Sequence, residues 1–85
     1  MTASPDELPK HLRGLRQNAP LRPDEIKRGF KRMTQELLAE HLNWSGAAHV
    51  SEIETGQRLP TPETLSRWID ACGGSPTDLH HSLRL

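Results

Sequence analysis

The sequence predicts an all-α fold, a small bundle of four to six helices. Only 85 residues are available, and helices joined by short loops are the simplest way for so short a chain to bury a core. Apolar residues recur at helical spacing in several segments. Residues that favour helix starts and helix ends lie at the borders of those segments, so the spacing and the borders predict the same elements.

The clearest predicted helix follows Thr61. Thr61 is a suitable N-cap, Pro62 suits the first helical position, and Gly73 and Gly74 end the pattern. Between these borders, one apolar face is formed at positions i, i+3, i+4 and i+7 by Leu65, Trp68, Ile69 and Cys72. This spacing places the tryptophan in the core. A short last helix is predicted to start at Ser75.

Two shorter helices are predicted on either side of a tight turn. Thr34 can cap the first of them, and Asn43 can adopt the left-handed conformation that ends it. Ser45 can cap the second, at about residues 46–55, and Gly56 stops it. Because so tight a connection cannot join antiparallel helices, the two must cross steeply, as in a helix-turn-helix.

Three sequence strings occur in order in this region: "TQELLAEHLNWS", "VSEIETGQRLPTPETL" and "ACGGSPTDL". With them, the segment from Thr34 to Leu79 resembles the Xre/Cro-type helix-turn-helix family of phage and bacterial transcriptional regulators. The resemblance implies a lambda-repressor-like fold and a DNA-binding function, as a repressor or an accessory factor. It also implies that the partner is double-stranded DNA, bound by a two-fold homodimer with the helix at about 46–55 in the major groove.

The resemblance implies two sets of residues that contact DNA. The residues facing base edges are Ala47, Ala48, His49, Ser51 and Glu52. The residues contacting backbone phosphates are Gln35, Ser45, Thr55, Gln57 and Arg58. The basic run "KRGFKR" adds three candidates for phosphate contact, which are Arg28, Lys31 and Arg32. Alternatively, this run is an ordinary solvated helix face with Phe30 in the core.

The distribution of charge leads to an alternative function. The formal net charge is zero, but residues 10–32 contain eight basic residues and two acidic ones. The predicted third helix contains no Lys or Arg, and we interpret Glu52 and Glu54 as an exposed acidic face. Since an acidic face repels phosphate, the alternative is a helix-turn-helix protein-interaction module, an adaptor or antitoxin-like subunit whose protein partner docks on this helix.

Two segments compete for the first helix of the bundle. The string "HLRGLRQNAPL" is similar to the first helix of the family but requires an insertion after it. Alternatively, residues 23–32 are the first helix, with Ile26 facing inward. We prefer the insertion, with both segments helical. Residues 1–23 are then expected to form a partly flexible N-terminal arm with a helix at 7–17, and residues 24–85 the DNA-binding domain.

Other classes of protein find little support in the sequence. The single cysteine, Cys72, allows no intrachain disulfide, and the five histidines lack metal-ligand spacing, so neither a metal nor another cofactor is expected. No nucleophile stands in a recognisable catalytic motif, and an enzyme is not expected. Because no apolar run is long enough to span a membrane, we expect a cytoplasmic protein associated with the nucleoid.

Overall fold

Six helices make up the part of the chain that the structure, a computed structural model, describes, which is residues 7–84. The helices are α1 (Glu7–Gln17), α2 (Pro23–Lys27), α3 (Gln35–His41), α4 (Ala48–Glu54), α5 (Pro62–Ala71) and α6 (Pro76–Arg84). All regular structure in this range is helical, which confirms the predicted all-α bundle of four to six helices. None of these helices is long and apolar enough to cross a membrane.

The core lies between α1, α3, α4 and α5. Trp68 of α5 is fully buried, as its apolar face predicts, and its indole Nε1 donates a hydrogen bond to the Leu12 carbonyl of α1 at 3.2 Å. Leu38 of α3 and Val50 of α4 are fully buried as well. Each such side chain stabilises the fold by roughly 1.5–3 kcal/mol through the apolar surface that it removes from water.

Helix α1 belongs to this core. Leu12 is fully buried, and α1 packs against both α4 and α5. Within the N-terminal arm expected for residues 1–23, the chain therefore forms a packed helix from Glu7 to Gln17. Residues 1–6 of that arm lie outside the described residues.

Both candidate segments for the first helix are helical, as the insertion requires. Helix α2 contains five residues and ends at Lys27, and Gly29 follows with a φ of 96°. Ile26, which would face inward if α2 were the first helix of the bundle, is 59% exposed. Helix α1 is therefore the first helix of the bundle, and α2 lies in the segment that connects α1 to α3.

Most helix borders follow their predicted signals. The side-chain oxygens of Thr34 and Thr61 each accept a backbone hydrogen bond at 3.1 Å and so cap α3 and α5. Asn43, Gly56 and Gly73 have φ values of 61°, 80° and 74°, and they follow the ends of α3, α4 and α5. The left-handed conformation at these three positions ends each helix.

The predicted N-cap of α4, Ser45, is wrong, whereas the bounds of the helix differ from the predicted 46–55 by only one or two residues. Helix α4 begins at Ala48 with Ala47 in the N-cap position, and no side chain of the described chain caps it. Ser45 is exposed in the turn between α3 and α4, which is longer than predicted. At the end of α3, the backbone N–H of Trp44 donates to the Ala39 carbonyl at 2.9 Å. The residues after this bond extend the turn rather than the helix.

Candidate nucleic-acid interface

The five residues predicted to face DNA bases lie on or beside the outward side of α4. Val50 and Ile53 are buried on the inward side of this helix. Ala48 is exposed and Glu52 is half-buried on the opposite side, and these two residues define what we call the outward face. The other three predicted residues, all half-buried at its edges, are Ala47, His49 and Ser51.

An open cavity of about 410 Å³ lies between the turn and the outward face. Its lining comes from the turn, from α4 and from the loop after α4, and consists of Asn43, Trp44, Ser45, Gly46, Ala48, His49, Glu52 and Arg58. The rings of Trp44 and His49 stack with 3.8 Å between their centroids and 12° between their planes. Because Trp44 also packs against the core, it holds the His49 ring in place at the edge of the outward face.

The loop after α4 folds back onto the outward face. The backbone N–H groups of Gln57 and Arg58 both donate to the Glu52 carbonyl, at 2.8 and 3.2 Å. The Arg58 side chain returns along the helix, and its Nε donates to Oε2 of Glu52 at 2.7 Å. A predicted phosphate-contacting residue is therefore paired with a predicted base-facing residue, and the two lie on the same face.

Glu54 is buried, and its interpretation as part of an exposed acidic face is wrong. Only 2% of Glu54 is exposed, and its carboxylate accepts two hydrogen bonds from the Arg16 guanidinium, at 2.5 and 3.0 Å. Arg13 donates to the Glu54 carbonyl at 3.0 Å. Two residues beyond Glu52, a helical side chain is rotated by about 200°, so the two carboxylates point to opposite sides of α4. Glu54 follows the inward-facing Val50 by four residues and so shares its face of the helix, which was the available sequence signal.

Gln35 belongs to the same buried network. Its Nε2 donates to Oε1 of Glu54 at 3.1 Å. Arg16 donates from Nη1 to the carbonyl of Met33 at 2.9 Å, just before the start of α3. These bonds tie the N-terminal end of α3 and the C-terminal end of α4 to α1. Gln35, predicted to contact phosphate, is half-buried and contributes one amide hydrogen to this network.

The remaining predicted phosphate ligands are exposed and occupy two regions. Thr55 and Gln57 lie just after α4, where the Thr55 hydroxyl donates to the Ser51 carbonyl at 2.9 Å. Lys31 and Arg32 lie in the loop that leads to α3. Because the next residue of that loop is bonded to Arg16, this pair of cations is connected to the end of α4 through the buried network.

Arg28 faces a different part of the molecule. Its guanidinium donates to both carboxylate oxygens of Glu40 on α3, at 3.3 and 3.2 Å, and lies 5.0 Å from the centroid of the Phe30 ring. Phe30 is half-buried and packs against the core, but α2 ends at Lys27, so the basic run is not the helix face of the alternative interpretation. The Arg28 charge is therefore matched by a carboxylate on α3.

A second contact fastens the segment that contains α2 to α3. Nε2 of His41 lies 2.6 Å from Oε2 of Glu25, and the backbone N–H of Arg22 donates to the other oxygen of that carboxylate at 2.8 Å. Burial acts to raise the pKa of Glu25, but the Arg22 N–H and the His41 imidazole outweigh it and lower that pKa below its usual value. The charged carboxylate is thus the favoured form in the fold.

Metal-ligating side chains do not converge in the described residues. Within residues 7–84, no group of three or more His, Cys, Asp or Glu residues is placed to hold a metal ion. Cys72 is a buried free thiol, and burial raises its pKa to about 12. This cysteine is therefore protonated and packed in the core.

Comparison with known proteins gives one match. A sequence model of a protein family described as a helix-turn-helix domain matches residues 7–82. The match begins at the first residue of α1 and ends within α6, so it extends over all six helices of the described chain. No curated protein and no solved structure matches the chain.

Proposed function

Because the chain belongs to this helix-turn-helix domain family, we propose that it is a DNA-binding transcriptional regulator of the Xre/Cro type, a repressor or accessory factor rather than an enzyme. The observation that carries the proposal is the outward face of α4. Ala48 is exposed and Glu52 half-exposed there, while Val50 and Ile53 anchor the helix on its other side. A short helix held in this way is suited to the major groove.

The phosphate contacts are proposed on both sides of that helix. Lys31 and Arg32, exposed in the loop before α3, are proposed to supply positive charge to the backbone. Thr55 and Gln57 lie beyond the C-terminal end of α4, and Ser45 lies in the turn before its start. Gln35 still has a second amide hydrogen for a phosphate oxygen while it holds Glu54. Two copies on a palindromic site double these contacts, as expected for a bacterial regulator acting at the nucleoid.

Selection from a pool of randomised duplexes, followed by competition binding at physiological salt, tests the function. We expect the selected site to bind at least about a thousandfold more tightly than random DNA. Binding of every duplex at the non-specific level would contradict the proposal.

A charge placed on the outward face tests the orientation. Ala48→Glu adds a carboxylate at an exposed helical position, so we expect the fold to persist and DNA binding to be lost. The matched control is Ser66→Glu, at an exposed position of α5, which should bind like the wild type. Equal affinities for the two variants would show that α4 does not enter the groove.

One observation favours the alternative, a protein-interaction module. Leu59 follows the outward face directly and is 85% exposed, and α4 itself carries no Lys or Arg. An exposed leucine in the loop after a helix without cations suits a protein surface better than a phosphate backbone. Under this alternative, affinity purification yields one stoichiometric protein partner, Leu59→Ser releases it, and the purified chain shows no DNA affinity.

A further inference from the structure

The outward face of α4 lacks the side chain that most often reads a base. Arginine to guanine is the commonest specific contact in the major groove, because the guanidinium donates two parallel hydrogen bonds to O6 and N7 of the base. Ala48 and Glu52, at the centre of this face, offer no donor to guanine, and the His49 ring at its edge is stacked on Trp44. Under the proposed function, a cation from another element has to supply this contact if guanine is read.

Arg58 is the cation that lies on this face. Its backbone N–H is bonded to the Glu52 carbonyl, and its side chain is bonded to the Glu52 carboxylate, so both ends of the residue are attached to α4. Arg58 lines the same cavity as Ala48 and His49. Ala48, four residues before Glu52 on the same face, carries only a methyl group.

In the Arg58–Glu52 pair, the edge of the guanidinium formed by its two Nη atoms remains available to contact a base. An arginine has five N–H donors, and here the Nε donor is taken by the carboxylate. Within residues 7–84, the two Nη atoms donate to no protein acceptor. A carboxylate bound at Nε restrains the rotation of the planar group, and the Nη edge that matches O6 and N7 of guanine stays free.

We infer that Arg58, positioned by Glu52, reads a guanine in the major groove instead of contacting a phosphate. This inference rests on the proposed function and names a base preference for it. The loop after α4 thereby supplies the cation that the helix lacks. Glu52 is a positioning residue in this arrangement, because it acts on the base through Arg58.

The test compares the base preferences of variants that change one part of the pair. Arg58→Lys keeps the positive charge but loses the planar fork, and Glu52→Gln keeps the size of the side chain but loses its charge. Arg84→Lys and Glu40→Gln are the matched controls, at exposed positions of α6 and α3. Each protein is used to select sites from a randomised duplex library, and its affinities for the selected site and for random DNA are measured over a range of salt concentrations.

We expect the wild type to select a site with an invariant guanine. In Arg58→Lys, discrimination at that position should fall by roughly tenfold or more, while affinity for random DNA stays within about twofold and the salt dependence is unchanged. Glu52→Gln should weaken the same discrimination without removing it, and the controls should select the wild-type site. Circular dichroism confirms that each variant is folded.

Two results overturn the inference in distinguishable ways. If Arg58→Lys selects the wild-type site, and Arg58→Ala weakens binding to all duplexes equally with a lower salt dependence, Arg58 is a phosphate ligand and the proposed function stands. If the wild type binds all duplexes at the non-specific level, both the inference and the proposed function fail.

Discussion

The Arg16–Glu54 pair is the residue-level feature on which the geometry of the interface depends. Both side chains are buried, and the pair joins α1 to the last turn of the helix that carries the outward face. Taking two charges out of water is costly, and good hydrogen bonding must offset the cost. Gln35 also donates to the Glu54 carboxylate, and the Met33 carbonyl also accepts from Arg16. Both charged groups therefore have hydrogen-bond partners beyond each other.

Glu54→Gln leaves Arg16 buried without a matching charge. We expect the free energy of unfolding to fall by about 3–5 kcal/mol, the usual cost of removing one partner of a buried pair. Urea denaturation followed by circular dichroism measures this loss. Glu52→Gln is the matched control, because it breaks an exposed pair on the same helix and should cost less than about 1 kcal/mol. Similar losses in the two variants would contradict the buried role of Glu54.

Cys72 provides a probe of the packed state. Burial raises the pKa of its thiol to about 12, and only the thiolate attacks thiol reagents. We expect an aromatic disulfide reagent to modify the native protein slowly and the urea-unfolded protein rapidly. Since the chain contains one cysteine, the signal has one source. Modification at equal rates in the two states would mean that Cys72 is accessible in the fold.

At the scale of the elements, local signals predicted the helices, and distant pairings escaped prediction. Caps such as Thr34 act within a few residues, so the sequence alone contains the necessary information. Arg16 and Glu54 are 38 residues apart, and nothing in the spacing of either residue shows that they meet. The pairing of Arg58 with Glu52 also depends on how the loop folds back. The helix borders were therefore predictable from the sequence, whereas the pairings between distant residues were not.

The start of α4 shows where a local signal misleads. Ser45 is a good N-cap by residue type, but the first helical hydrogen bond of α4 is accepted by the Ala47 carbonyl, so Ser45 lies in the turn before the cap position. Thr34 fulfils its predicted role. We expect Thr34→Ala to lower the free energy of unfolding by about 1 kcal/mol and Ser45→Ala to change it by less than about 0.5 kcal/mol. If Ser45→Ala lowered the free energy of unfolding as much as Thr34→Ala, Ser45 would be a helix cap after all.

At the scale of the whole molecule, the contact of α1 with α6 makes stability depend on pH. The rings of His11 and His81 meet edge to face at 4.7 Å, and Nε2 of His11 is buried with no hydrogen-bond partner in the described chain. Burial, and then the nearby His81, lower the pKa of His11, while Asp78 acts in the opposite direction. The folded protein therefore accepts a proton at His11 less readily than the unfolded chain.

Stability should accordingly fall on acidification. The ordinary pKa of His11 is 6.5, and as the pH falls through this value the unfolded chain gains a proton that the fold disfavours. Urea denaturation at pH values from 7.5 down to 5.5 measures the slope. We expect His11→Asn to flatten it and His80→Asn, at an exposed position of α6, to leave it unchanged. Glu25 acts in a lower range, because the stability from its depressed pKa is lost only below its ordinary value of 4.5.

The balance of charge over the whole molecule determines how strongly DNA binding can depend on salt. The formal net charge is zero, and many of the basic residues are matched internally, Arg16 by Glu54 and Arg28 by Glu40. The positive charge of residues 10–32 that is available to attract DNA is therefore smaller than the count of basic residues indicates. Lys31 and Arg32, both exposed in the loop before α3, are the cations that we propose for phosphate contact.

Removing both charges together tests this assignment. In the double variant Lys31→Ala and Arg32→Ala, the slope of log affinity against log salt should decrease in magnitude by about 1.8, the value for two phosphate contacts. Base preference should not change, because phosphate contacts carry no sequence information. Lys10→Ala is the control, because Lys10 lines a separate cavity with Cys72 and Asp78 and should leave the slope unchanged. An unaltered slope in the double variant would mean that residues around α4, and not Lys31 and Arg32, contact the phosphates.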